Sequence, residues 1–495
     1  MRADRVALPI GLYHADRVRQ SEPELAKGLG IALYQVMEEA GSEAWRFALK
    51  RWPELKTVCV LCGGGNNAGD GYILARLARQ AGLRVTVRQF QPEVALQGDA
   101  ARAQTAWVSA GGAIEPLDDT LPATELYVDA LVGTGLRGAL RAPLANIVAQ
   151  INASTAPVLA IDIPSGVSGQ TGAVAGEAVQ ACATITFVAV KPGLLTGKAP
   201  AYVGELVFAP LQLGKPLAGE PADLRCAKPA DLKTWLPTRS MDSHKGTHGR
   251  VLILGGDEGM AGAARLAGEA ALRCGAGLVR VNCAPASALP IQLGRPELMV
   301  ESREPAELGP RLGWADVLVV GPGLGQRPWA EQIWQQALSH EGVCLLDADA
   351  LNLLAKQPMT HTNWVLTPHP GEAARLLGCS TGQVESDRFR AIVALQRRFG
   401  GVVVLKGAGS LIYDGQQMVL APVGNSGLAT GGSGDLLSGI IGGLLAQGLS
   451  LMDAACAGVV VHGEAADSAL GPGPRGMLPS DLMQEIRRWV NVEAL

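Results

Sequence analysis

The stretch CGGGNNAGDGY, residues 62–72, decides the fold of the first part of the chain. Five glycines and two asparagines separate an apolar run, TVCVL, from a helical pattern, ILARLARQAG. A glycine-rich turn between a strand and a helix exposes backbone N–H groups that bind anions. Gly63, Gly65 and Ala68 also satisfy the fingerprint G-x-G-x-x-G/A, so the stretch predicts a strand–turn–helix unit that holds a dinucleotide.

Three features distinguish this turn from that of an ordinary cofactor-binding domain. No Asp or Glu ends the next apolar run, RVTVRQF, where a ribose 2′-OH would be held. Asn66 and Asn67 are bulky for a fingerprint loop, and Asp70 puts a carboxylate beside the phosphate site. A carboxylate there suits a hydroxyl, an amide or a cation better than a phosphate. The alternative is that Asp70 only caps the following helix.

The composition is typical of α/β proteins. The chain has 495 residues, too many for one ordinary core, with 63 glycines, 48% hydrophobic and 18% charged residues. The net charge of −4 and the lack of a basic block argue against nucleic acid as a partner. The nine scattered cysteines and a charged N-terminus without a signal-peptide core predict a cytoplasmic protein, in which Cys59 and Cys62 are buried thiols.

Short apolar runs alternate with helical patterns in two successive α/β units. The first, residues 1–220, is predicted to be a Rossmann-like three-layer αβα sandwich, and the second, residues 221–495, another αβα domain. Between them the periodicity lapses through QLGKPLAGEPADLRCAKPADLKTWLP, which we interpret as a linker with the boundary near residues 215–230. The predicted strands are TVCVL, RVTVRQF, LYVDAL, VLAIDI, ATITFVAV and GELVFAP, then RVLILGG, VLVVGPG, VCLLDAD, WVLTPHP and VVVLKGAG.

Two acids follow apolar runs of the first unit. Asp129 lies in LYVDALVGTGL and Asp162 in LAIDIPSG. In open parallel sheets the carboxyl ends of the strands converge on the ligand crevice, although one acid at such an end can merely cap a neighbouring helix. Together with Asn67 and Ser165, the two acids predict a cation site lined by oxygen atoms and one free acid/base.

The motifs GNNAGDGY, VDALVGTGL and IDIPSG, in a stretch of residues 8–215, resemble the epimerase domain of NAD(P)H-hydrate repair proteins. The resemblance implies that Asn67, Asp129 and Ser165 ligate potassium. It implies that Asp162 is the acid/base that interconverts the R and S hydroxyl epimers at C6 of the damaged nucleotide. The residues implied to bind this nucleotide are Asn66, Asn67, Ala68, Gly69, Asp70, Gly133, Thr134, Gly135, Leu136, Arg137, Gly138, Ala139 and Asp162.

The strongest motif of the second unit is NSGLATGGSGDLLSG, residues 425–439. A glycine-rich loop opens an apolar helix, so its amides and the helix dipole can stabilise a phosphoryl group in transfer. Asp435 in the first turn can take the proton of an attacking hydroxyl. The structural alternative is a plain capped helix with close glycine packing. The motif resembles the anion hole of the ribokinase-like superfamily, and no Walker A sequence is present.

Further motifs narrow this resemblance to ADP- or ATP-dependent NAD(P)H-hydrate dehydratases over residues 228–490. They are HKGTHGRVLILGG, GMAGAARLAGEAALRCGAG, GPGLG, DADALN, TPHPGE and VLKGAGS. The implied hydrate-binding residues are Ala263, Gly323, His369 and Asp435. The implied nucleotide-binding residues are Lys406, Gly407, Ala408, Gly409, Ser410 and Gly434. Magnesium is expected as well, with Glu372 as a candidate ligand.

These resemblances predict a bifunctional enzyme whose epimerase half supplies the S epimer to a dehydratase half. The dehydratase would phosphorylate the C6 hydroxyl with ADP or ATP and eliminate phosphate, which restores NADH or NADPH. One alternative is a ribokinase-like small-molecule kinase fused to a Rossmann-like binding or scaffold domain. The small-residue helices and the resemblance predict a homo-oligomer. Two closing helices are predicted to flank His462. The most apolar stretch, LLSGIIGGLLAQGLSLMDAACAGVVV, is interrupted by Gln447, Gly448 and Asp453, so it predicts two packed helices and no membrane span.

Overall fold

The computed structural model describes residues 8–118 and 120–491. The chain divides into two compact units, the first ending at Cys226 and the second beginning at Ala227. Both are α/β units with largely parallel sheets, as the alternating pattern predicts.

The first unit is built on a parallel sheet with the strand order β4-β3-β2-β5-β6-β7-β8. Its strands are β1 (Gly11–Leu12), β2 (Thr57–Cys62), β3 (Arg84–Gln89), β4 (Glu115–Pro116), β5 (Tyr127–Ala130), β6 (Val158–Ile161), β7 (Ala183–Phe187), β8 (Glu205–Ala209) and β9 (Leu224–Cys226), of which β1 and β9 pair antiparallel. Its helices are α1 (Ala15–Leu29), α2 (Leu33–Arg51), α3 (Asn66–Gln80), α4 (Gly98–Ser109), α5 (Ala142–Ala153), α6 (Pro200–Val203) and α7 (Leu211–Ala218).

Strand β2 lies at the point where the strand order reverses, because β3 follows on one side and β5 on the other. Ligands of doubly wound sheets bind outside the carboxyl ends of the strands at such a point. Cys59 and Cys62 of β2 are buried and belong to different core clusters, so the strand is covered on both faces. The Rossmann-like fold and the buried thiols are thereby confirmed.

Helix α3 begins earlier than the pattern ILARLARQAG suggests, with Gly65 as its N-cap. Its glycines serve packing: a Cβ at Gly71 would lie 2.7 Å from the Cβ of Ala130, and one at Gly69 would lie 2.5 Å from Sδ of Met37. Because the N-cap is Gly65, residues Asn66 to Asp70 are helical, and the alternative that Asp70 caps the helix is wrong.

The stretch interpreted as a linker is partly regular structure. Helix α7 forms although it contains Pro216, and it buries Leu213 and Leu217 against the core of the first unit. Strand β9 follows it. Glycine and proline interrupted the sequence pattern, but two buried leucines one turn apart suffice to hold the helix in place.

The second unit has a sheet with the order β12-β11-β10-β13-β14-β15-β16-β17-β18, parallel from β12 to β16 and antiparallel beyond. Its strands are β10 (Arg250–Leu254), β11 (Leu278–Asn282), β12 (Met299–Glu301), β13 (Val317–Val320), β14 (Val343–Leu346), β15 (Trp364–Leu366), β16 (Val402–Leu405), β17 (Ser410–Tyr413) and β18 (Met418–Ala421). Its helices are α8 (Leu232–Trp235), α9 (Ala261–Arg273), α10 (Pro285–Gly294), α11 (Gly309–Trp314), α12 (Pro328–Ala337), α13 (Ala348–Lys356), α14 (Pro370–Leu377), α15 (Thr381–Ser386), α16 (Arg388–Phe399), α17 (Ser433–Ala446), α18 (Leu451–Ser468) and α19 (Met483–Trp489).

The apolar stretch near the C-terminus forms the packed helices α17 and α18, and His462 lies inside α18 rather than between two helices. Helix α17 also packs on α9, where a Cβ at Gly439 would lie 2.0 Å from the carbonyl oxygen of Ala267. Among the described helices, none is both long and apolar enough to cross a membrane.

The contact between α9 and α17 predicts a sharp difference between two glycines. Gly439→Ala should lower the free energy of unfolding by about 3 kcal/mol, because the backbone of α9 must move to admit the methyl group. Gly262→Ala in α9 is the matched control, since a Cβ there meets nothing within 4 Å. Denaturant unfolding of both variants tests this, and equal stability of the two would contradict the packing described.

Candidate functional site

In the first unit, Asp129 and Ser165 meet at the carboxyl ends of the central strands. Asp129 lies in β5 and is fully buried. Its Oδ1 accepts from the Ser165 hydroxyl at 2.6 Å, and its Oδ2 accepts from the Ser165 backbone N–H at 2.8 Å. Ser165 Oγ in turn accepts from Val132 N–H at 2.9 Å. The two residues predicted to share a cation are thus brought together.

Asn67 lies beside the loop of residues 133–139. A Cβ at Gly133 would lie 3.4 Å from the Cβ of Asn67. The Nδ2 atom of Asn67 is buried without a hydrogen-bond partner in the described chain. This N–H₂ group is a free donor that a water molecule or an acceptor atom of a ligand can satisfy, whereas a cation can be held only by the amide oxygen. Arg137 of the same loop pairs with Asp16 of α1 at 2.8 Å, which connects the loop to the first helix.

Potassium fits this corner of the first unit. Burial raises the pKa of Asp129 to about 6, against hydrogen bonds from Ser165 and Leu131 that lower it. A monovalent cation would compensate the buried charge, and Asn67, Asp129 and Ser165 offer the oxygen atoms that a hard cation prefers. These three residues would hold the ion.

Asp162 follows β6 in a left-handed backbone conformation, φ 63°. Its Oδ1 accepts from Lys191 Nζ at 2.5 Å and from Thr186 Oγ1 at 3.0 Å. Lys191 is buried and was missed by the sequence reasoning, although a lysine directly after the apolar run ATITFVAV was a usable signal.

The charges of Asp162 and Lys191 act on two more carboxyl groups. Asp70 of α3 and Glu22 of α1 are close enough to Asp162 and Lys191 for those charges to act on their titration. Burial, with the charges of Asp162 and Glu22, raises the pKa of Asp70 well above its ordinary value. Burial likewise raises the pKa of Glu22, a residue that the sequence reasoning did not single out.

The position of the missing ribose-binding acid is occupied by Gln89, the last residue of β3. Its side chain is buried, and its Oε1 accepts from Gln104 Nε2 at 2.6 Å and from the Tyr72 hydroxyl. The side chain is therefore engaged inside the core, and the unit lacks the hydrogen-bonding acid of an ordinary dinucleotide-binding domain.

In the second unit, one partly buried lysine lies among carboxylates at the carboxyl ends of β14 and β16. Lys406 Nζ is 2.7 Å from Asp347 Oδ1 and 3.8 Å from Glu372 Oε2. Asp347 Oδ2 accepts from the Ser438 hydroxyl of α17 at 2.7 Å. A Cβ at Gly434 would lie 3.3 Å from Lys406 Nζ, so the N-terminus of α17 reaches this cluster.

Asp435 stands in the first turn of α17, as predicted. Burial, together with the negative charge of Asp347, raises the pKa of Asp435 to about 6, although Lys406 opposes this shift. A carboxyl group that titrates near neutral pH suits a general base. The N-cap residue of α17 is Gly432, and Gly439 packs closely on α9, as the structural alternative of a capped helix with close glycine packing also requires.

His369 and Glu372 form a capping box at the start of α14. His369 Nδ1 accepts from Gly371 N–H at 3.0 Å, and Glu372 Oε2 accepts from His369 N–H at 2.8 Å. Burial, with the positive charge of Lys406, lowers the pKa of His369, so its ring is neutral at pH 7. Burial raises the pKa of Glu372 to about 7.

Ala263 and Gly323 lie against each other, since a Cβ at Gly323 would be 3.0 Å from the Cβ of Ala263. The loop of Gly323 is joined to α13 because Gly325 N–H donates to Asp349 Oδ2 at 2.8 Å. Asp349 also contributes to the electrostatic environment of Asp435. Of the predicted hydrate-binding residues, Ala263 and Gly323 are thus adjacent, while His369 precedes α14 and Asp435 lies in the first turn of α17.

Residues 406–409 form the loop between β16 and β17, with Gly407 and Gly409 at positive φ, and Ser410 begins β17. Arg388, a buried residue that sequence reasoning missed, lies beneath it. Its Nη2 donates to the carbonyl oxygens of Leu405 and Lys406, each at 3.2 Å, and its Nη1 pairs with Glu385 at 3.0 Å. These hydrogen bonds of Arg388 therefore hold the backbone in place where the loop begins.

Magnesium fits the charge of this cluster. Three carboxylates, Asp347, Glu372 and Asp435, act on the single ammonium of Lys406, which leaves an excess of negative charge. No group of three or more His, Cys, Asp or Glu side chains within the described ranges could by itself hold a metal ion. Magnesium normally needs only one or two carboxylates when a nucleotide supplies its phosphates. Glu372 stays a candidate ligand.

Comparison with known proteins adds an independent line of support. The family described as NAD(P)H-hydrate dehydratase matches residues 251–488, and the family described as YjeF-related protein N-terminus matches residues 33–193. The whole chain is 47% identical to the bifunctional NAD(P)H-hydrate repair enzyme Nnr of Escherichia coli K12, over 96% of that protein. It is 48% identical over 97% of its length to the enzyme of the same name from Coxiella burnetii, over 99% of that protein.

A solved structure resembles part of the chain. The ribokinase-like superfamily protein of Enterococcus faecalis V583 is 29% identical, with a TM-score of 0.52, over 55% of this chain and 96% of that one. The predicted ribokinase-like fold is thereby confirmed.

The contacts of Arg388 predict how the loop of residues 406–409 is held. Arg388→Leu should leave two carbonyl oxygens without their donor, so the amides of this loop should exchange hydrogen at least about tenfold faster. Arg390→Leu is the matched control, because Arg390 lies on the same helix and is exposed. Hydrogen exchange followed by mass spectrometry measures both. Equal protection of the loop in the two variants would contradict the anchoring role.

Proposed function

The chain belongs to the family of bifunctional NAD(P)H-hydrate repair enzymes, and from this we propose that its first unit epimerises the hydrated nucleotide while its second unit dehydrates the S epimer. The observation that carries this assignment is the pair of acid/base sites, each at the carboxyl edge of a parallel sheet. Full-length relatives named for the repair reaction disfavour the alternative of a small-molecule kinase on a scaffold domain.

In the first unit, the N-terminus of α3 and the loop of residues 133–139 would hold the damaged dinucleotide. The proximity of Asn67 to Gly133 supports this, because both segments then face one ligand. Asp162 would act at the C6 hydroxyl as the acid/base. Potassium, held by Asn67, Asp129 and Ser165, would supply positive charge beside the bound nucleotide.

In the second unit, Asp435 would remove the proton of the C6 hydroxyl as the hydroxyl oxygen attacks the terminal phosphoryl group of ADP or ATP. Loss of phosphate from C6 and of a proton from C5 then restores the reduced nicotinamide. The amides at the start of α17 and the ammonium of Lys406 would stabilise the negative charge of the phosphoryl group. The hydrate would be contacted by Ala263, Gly323 and His369. The nucleotide would be bound by residues 406–410 and by Gly434. Magnesium would neutralise phosphate charge.

A mixture of R and S hydrated NADH separates the two activities. With ADP or ATP the wild-type protein should return all of the hydrate to NADH. Asp162→Asn should stop near the S fraction because its epimerase lacks the acid/base, and Asp435→Asn should return none. The recovery of NADH absorbance is measured. Complete conversion by Asp162→Asn would refute the epimerase assignment, and conversion by Asp435→Asn would refute the dehydratase assignment.

The pKa of Asp435, about 6, predicts the pH dependence of dehydration. Because burial raises this pKa, the carboxyl group holds its proton below pH 6 and is unable to accept one. The kcat/KM for the S hydrate should therefore be about tenfold lower at pH 5 than at pH 7. Circular dichroism at both pH values controls for unfolding. A rate independent of pH in this range would contradict the role of Asp435.

A further inference from the structure

Asn425, the first residue of the motif NSGLATGGSGDLLSG, engages its whole side-chain amide in hydrogen bonds. Its Nδ2 donates to the carbonyl oxygen of Ala466 and to Oδ1 of Asp467, each at 3.0 Å. Its Oδ1 accepts from the Gly427 N–H at 2.9 Å. Both donors of the amide are thus occupied and its oxygen faces an N–H, so the side chain fits in one orientation.

Asp467 is the partner of Asn425, and it holds the neighbouring backbone as well. Its Oδ2 accepts from the Gly424 N–H at 3.2 Å. Asp467 is 5% exposed and lies in the last turn of α18. A negative charge at this end of a helix opposes the helix dipole, and burial of a carboxylate is costly without hydrogen bonds. The residue is therefore unfavourable for α18 itself, and its hydrogen bonds stabilise the segment that begins at Gly424.

The backbones of α18 and of this segment also approach each other closely. A Cβ at Gly463 of α18 would lie 2.9 Å from the backbone nitrogen of Gly424. Gly424 itself has φ 87°, a conformation that favours glycine. The hydrogen bonds of Asn425 and Asp467 therefore lie at a point where the two backbones have no room for a larger residue.

The segment of residues 424–432, which we call the entry loop, leads directly into α17, whose first residue is Ser433. The loop contains one short 3-10 turn, Ser426–Leu428, and Asn425 is the N-cap of this turn. A glycine-rich loop has many accessible conformations unless other groups fix it. The place where the entry loop is held therefore sets the position of the amides at the start of α17.

Resting on the proposed dehydratase function, we propose that Asn425 and Asp467 are positioning residues for the transfer of the phosphoryl group. Their hydrogen bonds hold the entry loop against α18, and the loop holds the first amides of α17 and the carboxyl group of Asp435 in place. Amides stabilise a transition state best when they are already in position, because no reorganisation is then needed during the reaction. A displacement of about 1 Å can lower a rate by roughly a hundredfold.

Two single exchanges in the full-length protein break this contact. Asn425→Asp places a carboxylate against Asp467, and Asp467→Asn places an amide donor against the donors of the loop. Each should lower the kcat for dehydration of pure S hydrate at least about tenfold, because the amides act on the phosphoryl group in the transition state. The KM for ADP or ATP, whichever supports the wild-type reaction, should stay within about threefold. The binding stoichiometry of that nucleotide, from isothermal titration calorimetry, corrects kcat for the folded fraction of the second unit.

The combined variant Asn425→Asp/Asp467→Asn separates a positioning role from a general loss of structure. The introduced amide can donate to the introduced carboxylate while its oxygen accepts from the Gly424 N–H, so the contact is rebuilt with exchanged partners. The kcat should be at least about threefold above that of the slower single variant. One carbonyl acceptor of the original contact loses its donor, so the recovery is partial. The matched controls, Asn491→Asp and Asp481→Asn, make the same chemical changes at exposed positions of the second unit and should leave kcat unchanged.

The outcomes distinguish this inference from the function on which it rests. If Asp435→Asn dehydrates the S hydrate at the wild-type rate, the dehydratase assignment itself fails. If Asp435→Asn is inactive but both single variants keep the wild-type kcat, only the positioning role is overturned. It is also overturned if KM for the nucleotide rises in place of a fall in kcat, or if the combined variant is no faster than the slower single variant. Should Asp467→Asn fail to fold, Asn425→Asp and the combined variant still decide.

Discussion

In each unit a lysine pairs with a carboxylate at the carboxyl edge of the sheet, and one member of each pair, Lys191 or Asp347, is buried. Lys191 pairs with Asp162 in the first unit, and Lys406 pairs with Asp347 in the second. Leaving such a charge unpaired inside a protein costs several kcal/mol, so each lysine holds its carboxylate in place. The surrounding acids, among them Asp70 and Asp435, then titrate in a field set by these pairs.

The two units use the same geometry for different chemistry. Parallel strands place their carboxyl ends side by side, so side chains distant in sequence meet there. In the first unit this edge gathers hydrogen-bonded acids around one ammonium, which suits proton transfer to and from a hydroxyl. In the second unit the N-terminus of α17 also reaches this edge, and its backbone amides can stabilise the negative charge of a phosphoryl group.

Much of the candidate site was readable from the sequence, because strand-end acids and glycine-rich helix starts recur as local patterns. Asp129, Ser165 and Asp435 lie as the motifs predicted. The buried lysine Lys191 and arginine Arg388 were missed, because a lone basic residue in sequence looks like a solvated side chain until its partners are known. The capping role considered for Asp70 was wrong, since glycine packing lets α3 begin before that residue.

The sequence by itself determined the two α/β units, the strand–turn–helix elements and the residue types of both sites, because these depend on periodicity and local turn chemistry. Only the tertiary structure decided which charges are paired. It showed that three donors converge on one oxygen atom of Asp162 and that Asn67 Nδ2 has no hydrogen-bond partner among the described residues. Protonation depends on burial and on neighbours from other strands and helices, and no local pattern in the chain records either.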